Sequence, residues 1–224
     1  MVSMADRALI LDFGGVVTRT LFETHDLTEA AVGLAPGTLK WRGPFDPSTD
    51  QLWQSMQRGE ISERDYWMTR THEVAKLVNR PWSSMMEFVQ AARGADVEQV
   101  LRPEARLAIV AAKNAGLKLA ILSNELDLFY GVAFRKSFPL IDLFDVIVDA
   151  TYTKILKPDP RAYQLCLDQL KLPASACVFV DDQKKNVDGA RVLNIPTVHF
   201  DVTQPAQSYA EALSLLGIKE QIHA

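Results

Sequence analysis

The apolar run Ala8-Leu9-Ile10-Leu11 delivers Asp12 and Phe13 and then the pair Gly14-Gly15, before Val16-Val17 resumes it. An aliphatic run broken by glycines is the pattern of a central parallel strand covered by helices on both faces. Such sheets bind ligands outside the carboxyl ends of their strands, which places Asp12 where an α/β fold performs chemistry. Gly14-Gly15 lets the chain turn and lets a ligand approach the backbone closely. From residue 19 to residue 100 no comparable run occurs, and the apolar positions recur at helical spacing. Helices are predicted over 23–32, 50–58, 62–78 and 81–93, with breaks at Gly33 to Thr38 and at Trp41 to Pro47. Ser62-Glu63-Arg64-Asp65 has the form of a capping box, with Asp65 in place of Glu or Gln. All four tryptophans, Trp41, Trp53, Trp67 and Trp82, fall in this stretch and are assigned to its own small core.

The alternation of strand and helix returns at Pro103, which suits the first turn of a helix over 103–114 that Gly116 ends. Strands follow over 118–122, 145–149, 176–180 and 196–200. Between them lie an amphipathic helix over 126–138 and helices over 161–170 and 186–193. Strands alternating with helices imply an α/β fold with a doubly wound, Rossmann-like parallel sheet. The all-helical block after the first strand sits as an insertion over the strand ends, the position of a cap. The expected organisation is a core domain of residues 1–18 and 101–224 and a helical cap domain of residues 19–100.

Composition narrows the functional classes. Of 224 residues, 48% are hydrophobic and 23% charged, close to the average of folded soluble proteins. The 24 basic and 28 acidic side chains give a net charge of −4 with no basic block, so no nucleic-acid partner is expected. The pair Lys184-Lys185 reads as a solvated helix start. No apolar run of about 18 residues is present, so no membrane span is expected. The first seven residues carry no signal-peptide pattern, and a cytoplasmic location is the expectation. Cys166 and Cys177 stand among apolar neighbours and are expected to be buried free thiols. Oligomeric state is left open between monomer and homodimer.

Polar residues close four of the predicted strands or open the helices behind them: Asp12, Ser123-Asn124, Lys157 and Asp181-Asp182. A parallel sheet brings these ends to one face. Carboxylates gathered there repel one another and call for a cation, and hard oxygen ligands with few histidines point to Mg²⁺. A cation, a lysine, a hydroxyl and backbone N–H groups around one carboxylate form a phosphate cradle with a nucleophile inside it. The chemistry suggested is phosphoryl transfer to Asp12.

Four segments carry a specific resemblance. Leu11-Asp12-Phe13-Gly14-Gly15-Val16, Leu122-Ser123-Asn124, Lys157-Pro158-Asp159-Pro160-Arg161-Ala162-Tyr163 and Phe179-Val180-Asp181-Asp182-Gln183-Lys184-Lys185-Asn186 resemble, in order and spacing, the four motifs of the haloacid dehalogenase superfamily. Helices inserted after the first motif make the chain similar to the subclass with a C1 helical cap. The resemblance implies Asp12 as the nucleophile that forms an aspartyl-phosphate. It implies Ser123, the Asn124 backbone and Gly15 as phosphoryl-binding groups, and Lys157 as the neutralising cation. Mg²⁺ would be held by Asp12, the Gly14 carbonyl and Asp182, with Asp181 as a further ligand or acceptor, and Asn186 would orient the last loop.

The chain departs from that pattern at one position. Phosphatases of this superfamily usually carry a second Asp two residues after the nucleophile, as the acid for the leaving alkoxide, and Gly14 stands there. Loss of such a group typically costs about 10²–10⁴-fold in rate. Three readings follow: a Mg²⁺-dependent phosphatase of a small phosphorylated metabolite, with a sugar phosphate as one substrate class; a 2-haloacid dehalogenase; or a degenerate domain with a binding role. Against the second stands the Asp181-Asp182 pair, which resists an anionic haloacid. Glu23, His25 and Asp26 near the expected hinge are the candidates for a substitute acid, and Arg19 and Arg42 for anion contacts. His199 is assigned to a sheet edge, and Tyr163 to packing against the sheet.

Overall fold

The computed structural model describes residues 4–93, 97–124, 126–219 and 222. Strands β1 (Ala8–Leu11), β2 (Lys118–Ser123), β3 (Val146–Asp149), β4 (Cys177–Asp181) and β5 (Thr197–His199) form one sheet in the order β3-β2-β1-β4-β5. Every pairing is parallel. The order reverses beside β1, so Asp12 stands at the switch point between β1 and β4, where crevices form in such sheets.

Side chains of β1 alternate between two apolar layers. Leu9 and Leu11 pack with helices α6 (Pro103–Asn114) and α12 (Pro205–Leu215), which are numbered with the elements that precede them in the chain. Ala8 and Ile10 pack on the other face with α10 (Pro160–Leu170) and α11 (Lys184–Val192). Cys166 and Cys177 are both buried free thiols of that second layer.

Between β1 and β2 the described residues hold α1 (His25–Val32), α2 (Gln51–Gln57), α3 (Glu63–Leu77), α4 (Met85–Arg93) and the single turn α5 (Val97–Val100), and no strand. These helices enclose a third apolar cluster around Phe22, Trp41, Tyr66 and Phe88, with Trp53, Trp67 and Trp82 packed against it. The tryptophans therefore serve a local core. The capping box at Ser62 is present, with Ser62 Oγ accepting from Asp65 N and the Asp65 carboxylate accepting from Ser62 N. Helix α4 starts at Met85 rather than at Pro81, because Glu87 accepts from Ser83 N and Ser84 N and fixes the start there.

Two differences from the pattern reading concern the core. The amphipathic stretch 126–138 is two helices, α7 (Leu126–Phe129) and α8 (Gly131–Ser137), because Gly131 takes a φ of +83° and breaks the axis. The helix α12 follows the last strand, where the pattern reading assigns no element; Pro205 occupies its first turn, and Tyr209, Ala212 and Leu213 are buried. The remaining short helix, α9 (Ala150–Thr153), follows β3 directly. No described helix is long and apolar enough to cross a membrane.

Candidate active site

Register places the acidic residues. Leu11 pairs with Val180 across β1 and β4, so Asp12 lies level with Asp181. Asp12 and Asp181 share the parity of Ile10 and Phe179, and so point to the same side of the sheet. Lys157 reaches them from the loop before α10, its Nζ donating to Asp12 Oδ1 at 2.6 Å and to Asp181 Oδ2 at 2.7 Å. That ammonium is buried and lies 5.4 Å from the centre of the Phe179 ring. Burial by itself would lower its proton affinity; Asp12 and Asp181 override burial and hold Lys157 well above its ordinary range.

The Lys157 backbone is fixed by a side chain that the sequence reading used differently. Asn124 Oδ1 accepts from Lys157 N at 2.7 Å, and Asn124 Nδ2 donates to Lys157 O at 3.1 Å. The two motifs thus lock together through a two-bond clamp. Ser123, the last residue of β2, is buried and lies one step beyond the level of Asp12 in the sheet.

Asp181 and Asp182 have different surroundings although they are neighbours. Asp181 accepts from Lys157, from Asn186 Nδ2 at 3.1 and 3.0 Å, and from Gln183 N at 2.8 Å. Asn186 is itself held where its carbonyl accepts from the buried Tyr163 hydroxyl at 2.7 Å. Asp182 turns toward the glycine loop, and a β-carbon at Gly15 would stand 2.8 Å from its Oδ2. With a φ of +83° as well, position 15 accepts glycine alone without strain. His199, exposed on the edge strand, has Nε2 3.0 Å from the Asp182 carbonyl.

Carboxylate oxygens of Asp12, Asp181 and Asp182 all lie within 4.8 Å of one another. Burial pushes Asp12 up to about 7 against the pull of Lys157, with the Asp181 charge adding to the rise. Burial and then the charges of Asp181, Asp12 and Glu63 push Asp182 well above the carboxylate range. Three acids facing one lysine leave a deficit of positive charge.

The sequence reading gave Glu63 no role beyond the capping box. It opens α3 opposite this site, with Oε2 3.5 Å from Lys185 Nζ on α11. Partial burial and the Asp181 charge raise its proton affinity, although Lys185 opposes the rise. The three proposed substitute acids are placed elsewhere. Both Glu23 oxygens are taken by the buried Arg102, at 2.8 and 2.7 Å, and one accepts from Thr20 N and Oγ1 as well. His25 is buried with its ring centre 4.3 Å from that of Trp41, and burial, with Arg42, pushes it down to about 4. Asp26 and Arg42 are exposed, and Arg19 donates to the Glu23 and Gln99 carbonyls.

Arg102 has a second partner, Gly15 O, at 3.0 Å. It joins both chain crossings between the helical segment and the sheet to the glycine loop, since Thr18 bridges Leu101 and Arg19 N donates to Val100 O. A lone Arg before Pro103 gave no sign of this role.

A sequence profile described as haloacid dehalogenase-like hydrolase matches residues 7–194. Acyl-CoA dehydrogenase family member 10 of Mus musculus is 31% identical over 216 residues, covering 92% of this chain and 19% of its own length. Phosphatase MT3486 of Mycobacterium tuberculosis is 37% identical over 116 residues, 51% of this chain and 54% of its own length. The chain thus spans about a fifth and about half of those relatives. The L-2-haloacid dehalogenase structure from Xanthobacter autotrophicus shares the fold, with a TM-score of 0.56 at 23% identity, over 87% of this chain and 77% of that one. With a profile match over most of its length, the chain belongs to the haloacid dehalogenase-like hydrolases.

Proposed function

We propose that the protein is a Mg²⁺-dependent phosphatase of a small phosphorylated metabolite, working through an aspartyl-phosphate on Asp12. The observation that carries this reading is the charge balance around that residue, three carboxylates within 4.8 Å and a single lysine. The donor set fits a hard divalent cation: all are oxygens, and burial together with mutual repulsion raises the proton affinities of Asp12 and Asp182, which a bound cation would oppose. Asp12, Asp182 and the Gly14 carbonyl would hold the cation, while Asp181, already accepting from Lys157, Asn186 and Gln183, organises the lysine. When bound, Mg²⁺ supplies charge that keeps these carboxylates ionised and offsets the charge of the phosphoryl group.

Asp12 attacks phosphorus with an oxygen whose approach is set by β1 and by Lys157. Lys157 balances the negative charge that gathers on the nucleophile and the phosphoryl oxygens. Ser123 and the N–H groups of Asn124 and Gly15 bind those oxygens. The helical segment acts as a cap that excludes water until the aspartyl-phosphate has formed.

A dehalogenase reading draws on the absent side chain at Gly14 and on the named dehalogenase neighbour. The Asp181-Asp182 pair opposes it, because an anionic haloacid would approach uncompensated carboxylates. One assay separates the two. Phosphate release from a panel of small phosphate esters, with and without Mg²⁺, is run beside halide release from 2-chloropropionate. Metal-dependent phosphate release is expected; metal-independent halide release would replace the phosphatase by a dehalogenase.

A further inference from the structure

The phosphatase reading leaves one chemical part without an owner, the proton for the departing alkoxide. Gly14 has a φ of −72° and a ψ of 122°, a conformation open to any residue, so the absence of a side chain is not imposed by the backbone. Among the described residues, and apart from its chain neighbours, a β-carbon built there would meet the hydroxyl of Tyr130, at 3.7 Å. That phenol therefore projects into the space a side chain at position 14 would enter.

Its position is well defined. Tyr130 follows α7, with its N–H donating to Leu126 O at 3.0 Å, and Gly131 then turns the chain away. Its ring lies edge-on to Phe13, centres 5.1 Å apart, and packs on Phe134 at 4.9 Å. The hydroxyl lies 3.0 Å from Thr18 Oγ1, which also lies 3.4 Å from Gly15 N and 3.4 Å from Phe13 O. Tyr130 is thus held against the nucleophile loop on both sides of Gly14. A phenol is a competent general acid toward an alkoxide, which is far more basic.

We propose that Tyr130 is the catalytic acid and base of this enzyme, in place of the side chain missing at Gly14. As Asp12 forms its bond to phosphorus, the ester P–O bond breaks and the leaving oxygen takes the Tyr130 proton, giving the alcohol and a phenolate. Water then attacks phosphorus of the aspartyl-phosphate and gives its proton to that phenolate. The P–O bond to Asp12 breaks, and inorganic phosphate, free Asp12 and neutral Tyr130 result. No further reactant is needed.

This assignment rests on the phosphatase reading, and the leaving group provides its test. Glycerol phosphate departs as an alkoxide that needs a proton, whereas p-nitrophenyl phosphate departs as a stable phenolate. In Mg²⁺, Tyr130→Phe is expected to lower the ratio of kcat/KM for glycerol phosphate to kcat/KM for p-nitrophenyl phosphate by roughly 10²-fold, the lower end of acid–base effects, since this ratio reads the step that expels the alcohol and not the shared hydrolysis. The ring is retained, and a melting curve checks that the fold survives. Adding Gly14→Asp to Tyr130→Phe places a carboxyl in the vacated space and is expected to raise the ratio again. An unchanged ratio in folded Tyr130→Phe would overturn the assignment and leave the phosphatase standing. Absence of Mg²⁺-dependent phosphate release by the wild-type protein from both esters would overturn both.

Discussion

Asp50 in the helical segment and Asp12 at the sheet are both acids held by a buried base, and the contrast between them separates a structural ion pair from a reactive one. Asp50 is buried and accepts from Gly43 N at 3.2 Å, Trp53 N at 2.9 Å, the Tyr66 hydroxyl at 2.8 Å and Arg70 at 2.6 Å. Its oxygens are satisfied, and the guanidinium that balances it stands 5.1 Å from the Tyr66 ring and 5.6 Å from that of Trp41. Around Asp12 the same fold gathers Asp181 and Asp182 as well and, among the described residues, pairs them with Lys157 alone. In the first cluster the carboxylate is fully buried and fully engaged. The second is held at a charge imbalance that a cation and a phosphoryl group can use.

Removing one acid from each cluster should break the comparison most directly. Asp12→Asn is expected to reduce turnover by about 10⁴-fold or more, as loss of a nucleophile does, with no fall in melting temperature because repulsion is relieved. Asp50→Asn is expected to cost about 1–3 kcal/mol of stability, because an amide cannot accept from all four buried donors, although Arg70 keeps Glu73 at 2.7 Å. Denaturant titration of both variants checks the pair; equal destabilisation would remove the distinction.

A smaller effect should appear with pH. The Asp12 proton affinity is raised to about 7 in the folded state from an ordinary 3.8, and Asp182 is raised in the same direction. Between those pH values the folded protein binds more protons than the unfolded chain, so stability falls as pH rises from about 4 to about 7. Mg²⁺ should flatten that fall by favouring the ionised carboxylates, which melting temperatures across the range will show. A slope that ignores Mg²⁺ would count against cation binding.

The smallest change is expected at Glu63, paired with Lys185 at 3.5 Å with 36% and 54% of the side chains exposed. Solvent screens such a pair, and Glu63→Gln should shift stability by less than about 1 kcal/mol. A larger loss in denaturant titration would place it with Asp50.

The acidic residues were legible because Asp12 and the Asp181-Asp182 pair each end a hydrophobic strand, and parallel topology puts such ends on one edge of the sheet; that β4 lies beside β1 is what draws them together. Local signals also worked for the Ser62 capping box and for Pro103. The clamp of Asn124 on Lys157, the grip of Arg102 on Glu23 and Gly15, and the approach of Tyr130 to Thr18 were not legible. Their partners are 33, 79, 87 and 112 residues apart, and no periodicity encodes such pairs. The break between α7 and α8 was missed for a different reason, since apolar spacing continues through Gly131 and only its positive φ ends the helix.

By itself the sequence determined the α/β class, the helical block after the first strand, and which side chains stand at strand ends, since these follow from local hydrophobic period and from turn residues. Tertiary structure decided how those side chains divide the work. Packing of β4 beside β1 makes Asp181 the saturated partner of Lys157 and turns Asp182 toward Gly15. The fold alone also brings Tyr130 over Gly14, because hydrogen bonds and close packing between distant segments depend on the positions of whole helices and strands.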